Sequence, residues 1–154
     1  MAISEFLGMY LRGAYLSFHR QTQAHFNQYG VTADQFVLLA LLAEEPGSTQ
    51  QQLARRSYSD ANTIAAILNR LEKKKLVRRL HSPHDGRAWR ILLTARGRNL
   101  HARLQRSVRP LHGRLDATLP GREQQRVRQW LRRVIAGMSA TPLRARKASA
   151  RRRA

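Results

Sequence analysis

The chain has 154 residues, with 29 Lys or Arg against 9 Asp or Glu, for a formal charge of +20. That excess points to a polyanionic partner, while the absence of cysteine excludes disulfides, thiolate metal sites and thiol redox chemistry. No apolar run is long enough to span a bilayer and no signal-peptide pattern opens the chain, so the expected location is the cytoplasm and no membrane partner is expected.

Residues 3 to 29 read as one long helix, with Phe6, Leu7, Tyr10, Leu11, Ala14, Tyr15 and Phe18 at three- and four-residue steps. Met9 and Leu16 widen the apolar surface beyond one stripe, which suggests cover from a second subunit. Gly30 is placed to cap its C-terminus. Thr32-Ala33-Asp34-Gln35 is a capping box that opens an apolar helix through Ala43, stopped by Glu44-Glu45-Pro46-Gly47. A second capping box, Thr49-Gln50-Gln51-Gln52, opens a short helix. Ser57-Tyr58-Ser59 has the length of a helix-turn-helix turn, and Asp60 is the expected N-cap of the helix that follows.

That helix turns Ile64, Ile67, Leu68 and Leu71 inward. Its outer face carries Ala61, Asn62, Thr63, Ala65, Ala66 and Asn69, which are small or amide-bearing and uncharged. Such residues let a backbone approach a groove floor, and an Asn amide pairs with adenine N6 and N7. The plainer alternative is a weakly polar surface helix. Leu76 to Leu80 and Trp89 to Leu93 are expected strands joined by a turn at Pro83 and Gly86. The loop tip holds His84, Asp85 and Arg87. An arginine steered by a neighbouring carboxylate suits a narrow minor groove; an ordinary hairpin with a local ion pair is the alternative.

Thr94 is read as the cap of a helix to about Ala117, with a seam of Leu100, Leu104, Val108, Leu111 and Leu115. Pro110 predicts a kink or break near residues 106 to 109. A last helix, from about Arg122 to Met138, lines up Val127, Trp130, Leu131, Val134, Ile135 and Met138. Both seams read as a shared dimer core, with a purely intramolecular core as the alternative. Residues 144 to 154 form a basic tail without apolar periodicity. Paired catalytic carboxylates, a phosphate-binding Gly loop and an activated nucleophile are all missing, so no enzyme and no cofactor are expected. His81 and His84 are too few for a metal site.

Taken together, Val31-Thr32-Ala33-Asp34-Gln35-Phe36, Thr49-Gln50-Gln51-Gln52-Leu53-Ala54, Leu68 to Val77, Asp85-Gly86-Arg87-Ala88 and Leu93-Thr94-Ala95-Arg96-Gly97 resemble the MarR family of bacterial transcriptional regulators. The resemblance implies a mainly α fold with a small β-hairpin wing, a winged helix-turn-helix with a helical dimerisation region. Residues 1–30 would be a dimerisation helix, 31–94 the DNA-binding lobe, 95–140 further dimerisation helices and 141–154 a disordered basic tail. It implies a homodimer on double-stranded DNA with a pseudo-palindromic operator, acting as a repressor released by a small aromatic acid. The expected DNA contacts are Thr49, Gln50, Ser59, Ala61, Asn62, Thr63, Ala65, Ala66, Asn69, Arg70, Lys73, His84, Asp85 and Arg87. Tyr15, His19 and Phe36 would border the ligand cleft, with core or dimer packing as the other reading of the three. Three features depart from the family: Ala61, Ala65 and Ala66 stand where polar or basic residues are usual, Lys75 stands where Gly is usual, and no Cys is present for thiol-based peroxide sensing. A sequence-neutral chromosome-packing or RNA-binding protein would suit the charge equally well, but not the uncharged reading face.

Overall fold

The computed structural model describes residues 2–81 and 88–139. A 3-10 turn at Ile3–Glu5 precedes α1 (Leu7–Asn27). The helix therefore starts later than its apolar periodicity suggests, because Phe6 takes an extended conformation and separates the two. Gly30 adopts φ +67° beyond the end of α1, the left-handed cap expected there. Both capping boxes form. Thr32 Oγ1 accepts from Gln35 N at the start of α2 (Ala33–Glu44), and Thr49 Oγ1 accepts from Gln52 N at the start of α3 (Gln50–Arg56). Each glutamine side chain in turn accepts from the backbone N–H of its threonine.

α4 (Ala61–Lys73) ends in a Schellman arrangement. Lys75 N donates to Glu72 O and Leu76 N donates to Leu71 O, with Lys75 at φ +57°. A lysine there costs about 1 kcal/mol relative to glycine. β1 (Val77–His81) and β2 (Trp89–Leu93) form an antiparallel hairpin that pairs Val77 with Leu93, Arg79 with Ile91 and His81 with Trp89. Ser48 adds a single bridge to Ile91.

α5 (Ala95–Asp116) begins at Thr94, whose Oγ1 accepts from Gly97 N at 3.0 Å. The helix runs unbroken through Pro110, contrary to a break at residues 106 to 109. Pro110 and Arg106 both lie on the exposed side, where the carbonyl that loses its helical partner faces water.

The chain divides after Gly113 into two compact units. In the first, Phe26, Leu38, Leu39, Leu42, Leu53, Ile64, Leu68, Leu71, Leu76, Ile91 and Leu104 are almost fully buried. Each such side chain contributes roughly 1.5–3 kcal/mol. Leu104 and Val108 of the α5 seam belong to this intramolecular core, and Leu100 and Leu111 pack on it. One guanidinium joins two elements: Arg56 at the end of α3 bonds Glu44 at 2.8 Å, Glu45 at 3.0 Å and Leu41 O at 3.3 Å at the end of α2. The second unit contains α6 (Gly121–Ser139), which buries no residue. Its Trp130 is 64% exposed and its Met138 76% exposed.

Candidate nucleic-acid interface

α3, the Ser57–Ser59 turn and α4 carry most of the expected contact residues. Ala61, Asn62, Thr63, Ala66, Asn69, Arg70 and Lys73 are exposed along one side of α4, and Ala65 is half-buried. Ile64, Ile67, Leu68 and Leu71 hold the opposite side in the core. The start of α4 is closely bonded. Asp60 accepts from Thr63 N at 2.8 Å and from Thr63 Oγ1 at 2.7 Å. The Thr63 hydroxyl, then the Thr63 N–H, hold the Asp60 carboxyl below its ordinary pKa. A helix N-terminus already occupied by a carboxylate is a poor phosphate site. Thr63 has committed its hydroxyl hydrogen, so it offers lone pairs and a methyl group to a groove. Thr49 is the half-buried cap of α3, and Gln50 Nε2 donates to Ala61 O at 3.0 Å, joining α3 to the first turn of α4. Thr49 thus fixes the start of α3, and Gln50 ties that helix to α4, whatever else they touch.

Toward the other end of α4, Asn69 Oδ1 accepts from Arg79 Nη2 of β1 at 2.7 Å, and Arg79 Nη1 lies 3.7 Å from Glu72. This anchor between helix and wing involves an arginine that no sequence motif singles out. His81 and Trp89 pack across the hairpin with their rings tilted and centroids 3.6 Å apart. His84, Asp85 and Arg87 lie outside the described residues.

A cavity of about 390 Å³ opens beside this turn. α1 lines it with Tyr15, Phe18, His19 and Thr22, and α2 with Ala33, Asp34, Phe36 and Val37. Ser57, Tyr58 and Ser59 of the turn, then Thr63, Ile64 and Ile67 of α4, form another wall, and His112 of α5 completes it. The three residues Tyr15, His19 and Phe36 therefore border one space. Tyr15 stacks on His19 with centroids 5.4 Å apart, its hydroxyl 3.5 Å from Nδ1, and Phe18 meets the His112 ring edge-on at 5.4 Å. Phe36 also packs on Phe26 at 4.6 Å, so it serves core and cavity at once. Tyr58 and His112 are additions to the expected set: nothing local in sequence links position 112 to position 19. Among the described residues no group of three or more His, Cys, Asp or Glu is arranged to hold a metal, and no helix is long and apolar enough to cross a membrane.

Residues 31–89 match the model of the MarR family. The chain is 31% identical over 114 residues to the HTH-type transcriptional repressor Rv2887 of Mycobacterium tuberculosis, a span covering 74% of this chain and 82% of that protein. This chain belongs to the MarR family. The family is one of transcriptional regulators, and the similarity extends to solved members. CouR, a transcriptional repressor bound to a 23-mer DNA duplex, is 29% identical with a TM-score of 0.78, covering 86% of this chain and 94% of CouR. BpsR of Bordetella bronchiseptica, whose DNA binding is regulated by 6-hydroxynicotinic acid, is 25% identical with a TM-score of 0.81, covering 92% of this chain and 99% of BpsR. Rv2887 in complex with salicylic acid gives a TM-score of 0.66 at 29% identity, covering 87% of this chain and 99% of that one. The mainly α architecture with its β-hairpin wing is thus that of MarR winged-helix regulators.

Proposed function

We propose that the chain is a homodimeric, sequence-reading repressor that holds a pseudo-palindromic operator and is released when a small aromatic acid enters the cavity between α1, α2 and α4. It acts on DNA in the cytoplasm and catalyses no reaction. The observation that carries the reading is the exposed, uncharged face of α4 from Ala61 to Asn69, bounded by Arg70 and Lys73. A protein that only neutralised phosphates would gain from charge at those positions. Small side chains with one free amide suit direct contact with base edges in the major groove. The exposed apolar residues of α1 (Leu7 and Tyr10, each 66% exposed) and of α6 (Trp130 and Met138) support burial against a second copy. His19 beside Tyr15 is the proposed partner for a ligand carboxylate, with Phe36 against the aromatic ring.

The charge of +20 favours one other reading, a sequence-neutral packing protein. Selecting bound fragments from genomic DNA, then comparing one enriched duplex with a scrambled duplex at fixed salt, separates the two. A specific regulator prefers its operator by roughly a thousandfold or more. Equal binding to both duplexes would leave only the packing reading.

A further inference from the structure

α3 ends as α4 does, in a Schellman arrangement that sets residue 58 left-handed, but that cap does not call for tyrosine. The Tyr58 backbone is at φ +56°, a left-handed conformation suited to Gly or Asn. Its side chain is 77% exposed, so its ring adds little to the core. Neither backbone preference nor packing selects tyrosine at this position.

The surroundings point to a use. The turn is fixed by its own bonds: Tyr58 N donates to Arg55 O at 3.2 Å, Ser59 N to Ala54 O at 2.9 Å, and Ser57 Oγ to Leu53 O at 2.7 Å. With the backbone held, the ring moves only about its side-chain torsions. Tyr58 lies two residues before Asp60, the N-cap of the reading helix, on the surface that leads into α4. The same residue lines the cavity, together with Ser57, Ser59, Tyr15 and His19. It belongs both to the turn that leads into α4 and to the cavity wall.

We infer that Tyr58 is a residue shared between the two partners. With the cavity empty, its phenol O–H donates to a DNA phosphate beside α4. With the cavity filled, the ring turns over the bound aromatic acid and its hydroxyl leaves the phosphate. One side chain cannot hold both positions, so occupancy of the cavity and grip on DNA oppose each other. By linkage, DNA weakens the ligand by the same factor that the ligand weakens DNA. This inference rests on the ligand-released reading above.

The test uses the full chain, an operator duplex found by genomic selection, and salicylate and 6-hydroxynicotinate as probes. Tyr58→Gly removes the ring and relieves the left-handed strain. It should melt at or above the wild-type temperature, yet bind operator roughly tenfold more weakly, the scale of one hydrogen bond to a charged group. Because a neutral phenol displaces no counterion, the salt dependence of binding should keep its slope. Release of DNA by the acid should need roughly tenfold more of it, because the ring that covers the acid is gone. Tyr58→Phe should lose DNA affinity while binding the acid within about twofold of wild type, since the covering ring remains. Wild-type behaviour of Tyr58→Gly toward both partners, or an effect confined to one of them, would overturn the shared role. So would a fall in its melting temperature that Tyr58→Asn repeats, because the ring would then be structural. If instead wild type holds its operator against every acid tried, the ligand-released reading fails first and this inference falls with it.

Discussion

The Asn69 side-chain oxygen on α4 is held by the Arg79 guanidinium on β1 at 2.7 Å, so the reading helix and the wing share a hydrogen bond. A bidentate contact to adenine needs an amide whose oxygen and nitrogen both point at the base. Asn69 is turned toward the protein, whereas Asn62 in the first turn of α4 is exposed. Asn62→Ala should therefore relax the choice of base at one position per half-site, by about 1–3 kcal/mol of discrimination. Asn69→Ala should weaken all sequences by a similar, smaller factor. Selection from a randomised operator library reads both, and altered base preference in Asn69→Ala with none in Asn62→Ala would reverse the assignment.

Gly97 lies against the Leu76 carbonyl, which also accepts from Thr94 N at 3.0 Å. A Cβ at position 97 would overlap that oxygen. Gly97→Ala should cost about 3 kcal/mol through forced separation of α5 from the end of α4. A denaturant titration measures it, and a change within experimental error would mean that the backbone yields freely there.

His101 of α5 stacks on Phe36 with centroids 6.2 Å apart. Burial lowers its pKa, partly opposed by the Glu44 carboxylate. The unfolded chain then binds a proton more readily than the folded one. Stability from this group is complete above the ordinary imidazole value of about 6.5 and is lost as pH falls from there through the lowered folded value. Melting temperature should drop as pH falls below about 6.5, and His101→Phe should make that drop shallower. Identical pH dependence in both proteins would mean that His101 does not set it.

Trp130→Glu puts a charge in the exposed apolar face of α6. If that face is the dimer core, the sedimentation coefficient should fall to that of a monomer. Operator affinity should fall by about a hundredfold or more, because two half-sites are no longer linked. A dimer of unchanged affinity would locate the interface elsewhere.

The tail from 144 to 154 contains Arg144, Arg146, Lys147, Arg151, Arg152 and Arg153 and no acid, so its deletion takes the charge from +20 to +14. Operator and random DNA should weaken by similar factors. The log-affinity against log-salt slope should flatten by about 0.9 for each phosphate that the tail no longer neutralises. A deletion that weakens operator binding alone would make the tail a sequence reader.

Local signals in the sequence carried far and then stopped at contacts across the chain. Thr32 with Gln35, Thr49 with Gln52, the Asp60 cap and Gly30 could all be read from a few adjacent residues, because each bonds within one turn. The strand bounds are nearly those expected: β2 matches, and β1 starts one residue after Leu76. Leu104 and Val108 could not be assigned to an intramolecular rather than a shared core, since a heptad-like seam looks the same in both. The αL conformation of Tyr58 left no trace, because Ser-Tyr-Ser carries no glycine to announce it. The Arg79–Asn69 bond and the arrival of His112 beside Phe18 depend on how elements pack, which periodicity does not encode.

Arg56 fastens the far end of α2 to α3, while the near end of α2 supplies Asp34, Phe36 and Val37 to the cavity wall. A helix of 12 residues spans roughly 18 Å and does not compress. If a bound ligand displaced its near end, a helix pinned in this way would carry the shift to α3 rather than absorb it. Hydrogen bonds to bases weaken over only about half an ångström of stretch. A shift well below the spacing of adjacent base pairs would then be enough to disengage the operator, with every element of the lobe still folded.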